Sequence, residues 1–238
     1  AMRKLLLLFL AFMLLFLSSI SFAAEVDDPT TYPLIHVEDF DYQGWFRIKS
    51  WKYGTSDTGY SRGRIAFNNS NNSGSIFISG HVGHSAIGEF LIPTLVKSYN
   101  YLDLLISQEP LQNFSSFFNR TDTGNTQGIN RLGAFMYKNN ELLVHVYDTY
   151  DANGRDDHTS LLVRDTSNLK DSNVDGFFKL DGRAHLVNWI SPIDDQWKGV
   201  LWADLVSGWA NAMSINSRLS MGPSLFLHNS SDIFGSNV

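Results

Sequence analysis

Two histidines three positions apart form the first group of side chains that could do chemistry. His81 and His84 belong to the segment GHVGH, which follows an apolar run ending at Ser79. Two imidazoles at the end of a strand, with glycines that allow close approach, are able to bind a metal ion or to act as acid and base. No H-E-x-x-H motif or cysteine accompanies them. The alternative is that the glycines shape a turn while the imidazoles hydrogen-bond to the backbone of a neighbouring sheet.

A second group surrounds a hairpin predicted between Leu142 and Arg164. Arg131 precedes the hairpin, Tyr147 ends its first strand and His158 lies in its return. An arginine, a histidine and a tyrosine that converge suit β-elimination from an acidic sugar, because the arginine neutralises the uronate carboxylate and the histidine or tyrosine takes the C5 proton. The alternative is that these residues form cross-strand pairs and inter-sheet hydrogen bonds. The candidate catalytic residues are thus His81, His84, Arg131, Tyr147 and His158.

The tip of the same hairpin is rich in side-chain oxygens. Asp151, Asn153 and Asp156 are candidate ligands for Ca²⁺, a cation that prefers oxygen. The spacing does not match an EF-hand loop, because Gly154 falls at the wrong position. The alternative to a calcium cofactor is a solvated hairpin tip.

Aromatic side chains supply candidate surfaces for stacking on sugar rings. Tyr150 lies in the hairpin, and Trp189 and Trp209 flank a predicted helix. A tryptophan buries a large apolar area, so packing in the core is the alternative for the two indoles.

These residues are positioned by short apolar runs that Gly, Asn, Asp and Ser interrupt. Runs of this length, rich in Ile, Val, Phe and Tyr, predict strands, and many short strands indicate a sandwich, a barrel or a propeller. In the hairpin, Asn153-Gly154 favours a tight turn. One short helix is predicted near residues 192–205, because Ser191 can cap it and Pro192 suits its first position.

A weak internal repeat refines the fold class. The segments that begin at Gly63 and Gly133 share a glycine, apolar residues, an Asn-rich turn and a second apolar run, and a third copy begins at Gly222. If each copy opens a blade, the fold is all-β: a β-propeller-like array of short antiparallel sheets. The last blade is then unfinished, and the chain is expected to be the front part of a longer protein, truncated at its C-terminus.

Three stretches resemble a family of exported bacterial proteins of uncharacterised function whose members look like β-propellers. The stretches are IAFNNSNNSGSIFISGHVGHSAIGEFLIP, RLGAFMYKNNELLVHVYDTYDANGRDDHTSLLV and VSGWANAMSINSRLSMGPSLFL. The resemblance covers most of the chain from about Ile65 onward and implies a fold but no activity. The sequon-rich segment from Asn113 to Asn130 departs from the family pattern.

The N-terminus predicts export. Arg3 and Lys4 precede an apolar run and then small residues, which is the order of a signal peptide spanning residues 1–23, with Ala1 interpreted as an artefact. Residues 24–238 then form the propeller-like domain, and no stable membrane anchor is expected after cleavage. The chain has no cysteine, so no disulfide is expected. Its formal net charge is -6, so nucleic acid is not an expected partner.

Three functions follow as alternatives. The preferred one is a secreted or periplasmic protein that binds an extracellular ligand, with carbohydrate the best candidate. The second is a polysaccharide-degrading enzyme, a lyase that uses the His, Tyr and Arg side chains above. The third is a structural or interaction module of the cell surface.

Overall fold

A computed structural model describes residues 31, 33–70, 74–151, 154–209 and 223–235. Its contacts divide the chain into two units at Phe40. The predicted signal peptide lies outside the described residues. In the first unit, a 3-10 helix spans Val37–Asp39, and an Asp39 carboxylate oxygen accepts a hydrogen bond from the His36 backbone N–H at 2.8 Å. Among the described residues, no helix is long and apolar enough to cross a membrane.

The second unit consists mainly of strands. In the described residues they are β1 (Arg47–Ile48), β2 (Lys52–Tyr53), β3 (Ser56–Asp57), β4 (Ile65–Asn68), β5 (Ser75–Ser79), β6 (Ala86–Leu91), β7 (Ile106–Ser107), β8 (Pro110–Ser116), β9 (Arg131–Lys138), β10 (Glu141–Tyr147), β11 (Ser160–Val163), β12 (Val174–Phe178), β13 (Trp189–Pro192), β14 (Leu205–Gly208) and β15 (Leu225–His228). The all-β prediction is confirmed at this level.

Two four-stranded antiparallel sheets form the body of this unit. Their strand orders are β4-β5-β6-β8 and β9-β10-β11-β12, so in each sheet the strands lie side by side in chain order. The central strands β5 and β11 are buried along their whole length, which explains why they appear in the sequence as continuous apolar runs rather than alternating ones. Phe77 and Ile87 of the first sheet pack in the same core cluster as Leu142 and Leu161 of the second.

The predicted hairpin is confirmed as β10 and β11, which pair from Leu142↔Val163 to His145↔Ser160. The prediction of a tight turn at Asn153-Gly154 was wrong, because a loop of residues 148–159 connects the two strands. The side chains of β10 alternate between the two faces of the sheet. Val144 and Val146 enter one core cluster, whereas Leu143 and Tyr147 enter two others on the opposite face.

A third antiparallel sheet has the order β13-β14-β15. A single α-helix in the described residues, α1 (Asp195–Leu201), connects β13 to β14. It is shorter than predicted, because Ser191 and Pro192 belong to β13 and pair with Val206 and Leu205. The cap is Asp194, whose carboxylate accepts a hydrogen bond from the Gln196 N–H at 3.1 Å.

The first two repeats correspond to the opening hairpins of the two four-stranded sheets. Gly63 lies two residues before β4, and Gly133 lies inside β9. Gly222, where the third copy begins, lies outside the described residues, and the apolar run of this copy is β15, which pairs with β14 as the outer strand of a three-stranded sheet, whereas β4 and β9 come first in their sheets. The apolar run from Leu225 to Leu227 therefore predicted a strand but not its position in the sheet.

A β-bulge links the second sheet to the third. The β9–β10 register pairs Val144 with Phe135 and then Val146 with Leu132, so two residues of β9 face His145. The bulge frees the Ala134 N–H from the ladder, and it donates to the Val187 carbonyl at 2.7 Å. This contact holds the start of β9 beside the segment that leads into β13.

Candidate functional site

The strand connectivity brings most of the predicted site residues to one end of their sheets. Within the first sheet, the end of β5 leads to His81 and lies beside the start of β4. Within the second, Arg131 at the start of β9 pairs directly with Tyr147 at the end of β10. Trp189 starts β13 in the third sheet. The common end arises because antiparallel neighbours alternate in direction.

A cleft of about 240 Å³ opens where the first strands of the three sheets approach one another. Its walls combine residues from β4, β9 and β13 and from the segments that precede β4 and β13. The lining residues are Arg62, Gly63, Arg64, Ile65, Ala134, Phe135, Asn188, Trp189 and Ile190. The cleft thus carries two guanidinium groups, one amide and one indole on an otherwise apolar wall.

Arg64 is the central polar group of this cleft. One terminal nitrogen, Nη1, donates to the Arg62 carbonyl at 3.0 Å, and Nη2 donates to the Asn188 side-chain oxygen at 3.3 Å. Nε is buried and has no hydrogen-bond partner. In the part of the chain that the structure describes, no carboxylate forms an ion pair with Arg62 or Arg64.

The electrostatics of Arg64 follow from this geometry. Burial lowers the pKa of Arg64, the Tyr147 phenol opposes that shift, and the Arg62 charge lowers the pKa further. A partly desolvated guanidinium beside a second one is unfavourable unless an anion compensates both. The cleft is therefore suited to an anionic ligand.

A narrower recess adjoins the cleft and shares both arginines with it. Its other walls include His81, Ser85 and Leu132. The Ser85 hydroxyl donates to the Asn130 carbonyl at 3.0 Å, and the Arg131 guanidinium donates to the same oxygen at 2.8 Å. Arg131 consequently lies at the rim of the recess, next to the turn that carries His81.

The two histidines lie in a compact turn, and their rings bond to the Gly83 N–H of that turn and to the Ser56 side chain rather than to the backbone of a neighbouring sheet. Their ring centroids are 4.6 Å apart. The buried Ser56 hydroxyl accepts a hydrogen bond from the His81 backbone N–H at 2.9 Å and shares one with Nδ1 of His84 at 3.0 Å. Gly80 makes this approach possible, because a Cβ there would lie 2.3 Å from the Ser56 oxygen.

The hydrogen bond at Nδ1 of His81 defines what its ring can do. Nδ1 accepts from the Gly83 backbone N–H at 3.0 Å, so in the neutral imidazole the proton is on Nε2. The remaining nitrogen of His81 is then a hydrogen-bond donor. A hydrogen-bond donor beside two arginines suits an anion. Metal binding or general base catalysis by His81 would instead need a ring nitrogen with a free lone pair.

Two other predicted site residues pack in or against the core. Tyr147 is only 2% exposed and packs with Leu186 and Val187, and Trp209 packs against the same cluster. Neither lines the cleft or the recess. For Trp209 the packing alternative therefore describes the structure, while Trp189 lines the cleft as the ligand-binding hypothesis requires.

His158 lies in the loop between β10 and β11 and is exposed. Its Nδ1 is 2.8 Å from an Asp157 carboxylate oxygen, and the Gln127 amide donates to the same carboxylate at 2.9 Å. The Gln127 hydrogen bond, together with those from Lys179 and His158, lowers the pKa of Asp157 to about 2. His158 is thus paired within its own loop and does not line the cleft.

The proposed calcium ligands lie in this loop as well, with Tyr150 exposed between them and β10. Asp151 accepts the Arg155 backbone N–H at 3.0 Å, and burial beside Asp151 and Asp148 raises the pKa of Asp156 to about 6. Asn153 lies outside the described residues. Within the described ranges, no group of three or more His, Asp or Glu side chains is arranged to hold a metal ion.

The sequence reasoning missed the residues that matter most to the cleft, which are Arg62, Arg64 and Asn188. The available signal was position: the arginines immediately precede the first strand of the first repeat, and the asparagine immediately precedes β13. Comparisons with models of protein families, with curated proteins and with solved structures found no match to this chain.

Proposed function

We propose that this chain is a secreted or periplasmic, propeller-like protein that binds an acidic glycan in the cleft formed by its first strands. The observation that carries the proposal is the partly buried Arg64 guanidinium, which has an unpartnered Nε and no ionic partner among the described residues. The sequence resemblance to exported, propeller-like proteins supports the same location and shape.

The propeller-like arrangement is supported by the sheets themselves. Two of them are four-stranded and meander outward in chain order, and their first strands β4 and β9 contact each other. The first strand of the third sheet, β13, contacts β9 in turn. In a propeller the first strand of each blade lines the central axis, which is where the cleft lies in this proposal.

The ligand class follows from the pairing of cationic and aromatic groups. Arg62 and Arg64 suit a carboxylate, for which the planar guanidinium is the best protein partner. Asn188 and the His81 N–H add neutral hydrogen bonds for hydroxyl groups. Trp189 offers the indole on which a sugar ring can stack.

The test is the affinity for trigalacturonate, measured by isothermal titration calorimetry on the full chain. We expect Arg64→Met to weaken binding by about 10- to 100-fold, since a hydrogen bond to a charged group contributes about 1.5–3 kcal/mol. Arg64→Lys should weaken it less, because it keeps the charge and loses the forked geometry. Lys170→Gln, an equal charge loss at an exposed side chain on the β11–β12 connection, should bind like the wild type.

The methyl ester of trigalacturonate is the matched ligand control. It keeps the sugar rings and removes the negative charge, so it should bind the wild type as weakly as the acid binds Arg64→Met. Equal affinity for acid and ester would contradict a carboxylate site. An absence of binding to any glycan would favour the structural or interaction module instead.

The geometry favours binding over β-elimination. Elimination needs a proton acceptor at the C5 carbon while the bond from C4 to the leaving oxygen breaks. The His81 Nδ1 lone pair is taken by the Gly83 N–H, so the other ring nitrogen of the neutral imidazole is a donor, and Tyr147 is buried and does not line the recess. Incubation with polygalacturonate should therefore yield no ultraviolet absorbance from unsaturated uronate. An absorbance rise that His81→Ala abolishes would establish the lyase hypothesis in its place.

A further inference from the structure

A stripe of four side chains on the segment from Trp45 to Trp51, which contains the two-residue strand β1, forms a surface separate from the cleft. Trp45, Arg47, Lys49 and Trp51 occupy alternate positions, and none of them lines the cleft or the recess. The intervening Phe46 and Ile48 point the other way and pack against a core cluster. Trp45, Lys49 and Trp51 are exposed, whereas Arg47 is half-buried and its guanidinium donates to the Leu104 carbonyl at 3.1 Å.

Backbone pairing holds this stripe in place. The Trp45 N–H donates to the Val96 carbonyl at 3.0 Å, the Arg47 N–H to the Leu105 carbonyl at 2.8 Å and the Lys49 N–H to the Ser107 carbonyl at 3.2 Å. At about 3.3 Å per residue for extended backbone, the stripe extends for at most about 20 Å. The surface is therefore long enough for several units of a polymer.

The indoles of the stripe face solvent. Trp45 is 58% exposed and Trp51 is 63% exposed. Exposed tryptophans at this density mark an interaction surface, because each leaves a large apolar area in water.

The cations lie over aromatic faces. Lys49 Nζ is 5.5 Å from the centroid of the Trp51 ring, and the Arg47 guanidinium is 5.7 Å from that of Tyr101. Neither cation forms an ion pair with a carboxylate in the described part of the chain. The four residues of the stripe carry two positive charges and no negative one, in a protein of net charge -6.

We infer that the stripe Trp45-Arg47-Lys49-Trp51 binds an acidic polysaccharide chain. Each uronate unit has a C–H face that can stack on an indole and a carboxylate that can pair with a cation, and the stripe has an indole at each end with two cations between them. A membrane would favour a continuous apolar surface with cations at its margin, and here the cations lie between the tryptophans. A surface that binds nucleic acid would carry an excess of basic residues, which the chain as a whole lacks. The inference shares its ligand class with the proposed function and concerns a different site.

The experiment compares polygalacturonate with trigalacturonate on the full chain, by affinity electrophoresis and calorimetry. The double variant Trp45→Ala/Trp51→Ala should lose at least tenfold in affinity for the polymer, since two stacking contacts contribute about 1.4 kcal/mol or more. Its affinity for the trimer, which the cleft binds, should stay unchanged. Trp202→Ala removes an exposed tryptophan elsewhere and should retain polymer binding.

Lys49→Gln isolates the charge of the stripe. It should weaken binding to polygalacturonate by about threefold and leave binding to the methyl-esterified polymer unchanged. Lys170→Gln is the matched charge control. The inference is overturned if the folded Trp45→Ala/Trp51→Ala protein binds polygalacturonate as tightly as the wild type. It is also overturned if this variant keeps its binding to polygalacturonate but loses a binding to phosphatidylglycerol vesicles or single-stranded DNA that the wild type has.

The experiments can reject the cleft hypothesis and the stripe hypothesis independently of each other. If Arg64→Met keeps its affinity for the trimer while the double variant loses the polymer, the stripe stands and the proposed cleft function falls. If Arg64→Met loses the trimer while the double variant keeps the polymer, the cleft stands and the stripe inference falls.

Discussion

Replacing Gly133 with alanine should destabilise the protein by about 3 kcal/mol or more, or prevent it from folding. A Cβ at this position would lie 2.1 Å from the Val187 carbonyl oxygen and 2.9 Å from that of His145. Both neighbours are backbone atoms, so no side-chain rotation relieves the clash. The β-bulge that turns the Ala134 N–H toward Val187 would have to open.

Urea denaturation of the two proteins measures this effect. Gly199→Ala is the matched control, because Gly199 lies in α1 with no atom near its missing Cβ. That substitution should leave stability unchanged or raise it by up to about 1 kcal/mol, as alanine favours a helix. A Gly133→Ala protein as stable as the wild type would show that β9 does not approach Val187 so closely.

Acidification from pH 7.5 to pH 5 should remove about 2 kcal/mol of stability through His145 alone. This imidazole is fully buried, its Nδ1 is 3.0 Å from the Ser160 hydroxyl and its Nε2 has no partner. Burial, and secondarily the nearby His228, lowers the pKa of His145 to about 3. The charged form therefore has no stabilising partner in the fold.

The sign of the effect follows from the two pKa values. The unfolded chain binds a proton near pH 6.5, whereas the folded chain does not until about pH 3, so acid favours unfolding across that interval. Above about pH 6.5 the fold loses no stability to this group, and the loss grows as the pH falls from 6.5 toward 3. His228 has a lowered pKa for the same first reason, burial, and Asp181 opposes that shift.

The measurement is the difference in unfolding free energy between wild type and His145→Gln as a function of pH. Asp156 acts in the opposite direction, because its raised pKa favours the folded state as the pH falls below about 6. It is present in both proteins and cancels in the difference. Identical pH slopes for wild type and His145→Gln would contradict the assignment.

The two effects bear on the cleft through the same bulge. Gly133 and Ala134 face His145 across β9 and β10, and the Val187 carbonyl that receives the Ala134 N–H directly precedes Asn188. Asn188 in turn accepts the hydrogen bond from Arg64. A change at the bulge therefore reaches the cleft through backbone contacts, and we expect Gly133→Ala to weaken ligand binding in any fraction that folds.

The sequence by itself determined the strand-rich class, the hairpin of β10 and β11 and the turn at His81 and His84. Each depends on local chemistry: apolar runs of strand length, side-chain alternation and glycines that permit a sharp turn. It also indicated a helix before β14 but extended it over Ser191 and Pro192, because a good capping sequence does not reveal that the same residues pair with β14.

Only the tertiary structure decided which polar residues share a site. Arg64 meets Asn188 across 124 positions of the chain, and Tyr147 enters the core although its strand places it beside Arg131. Such distances depend on how whole sheets pack, and the energy that selects the packing is spread over many buried side chains. Local pattern determines what each strand is, and burial between sheets determines which of its side chains remain open to a ligand.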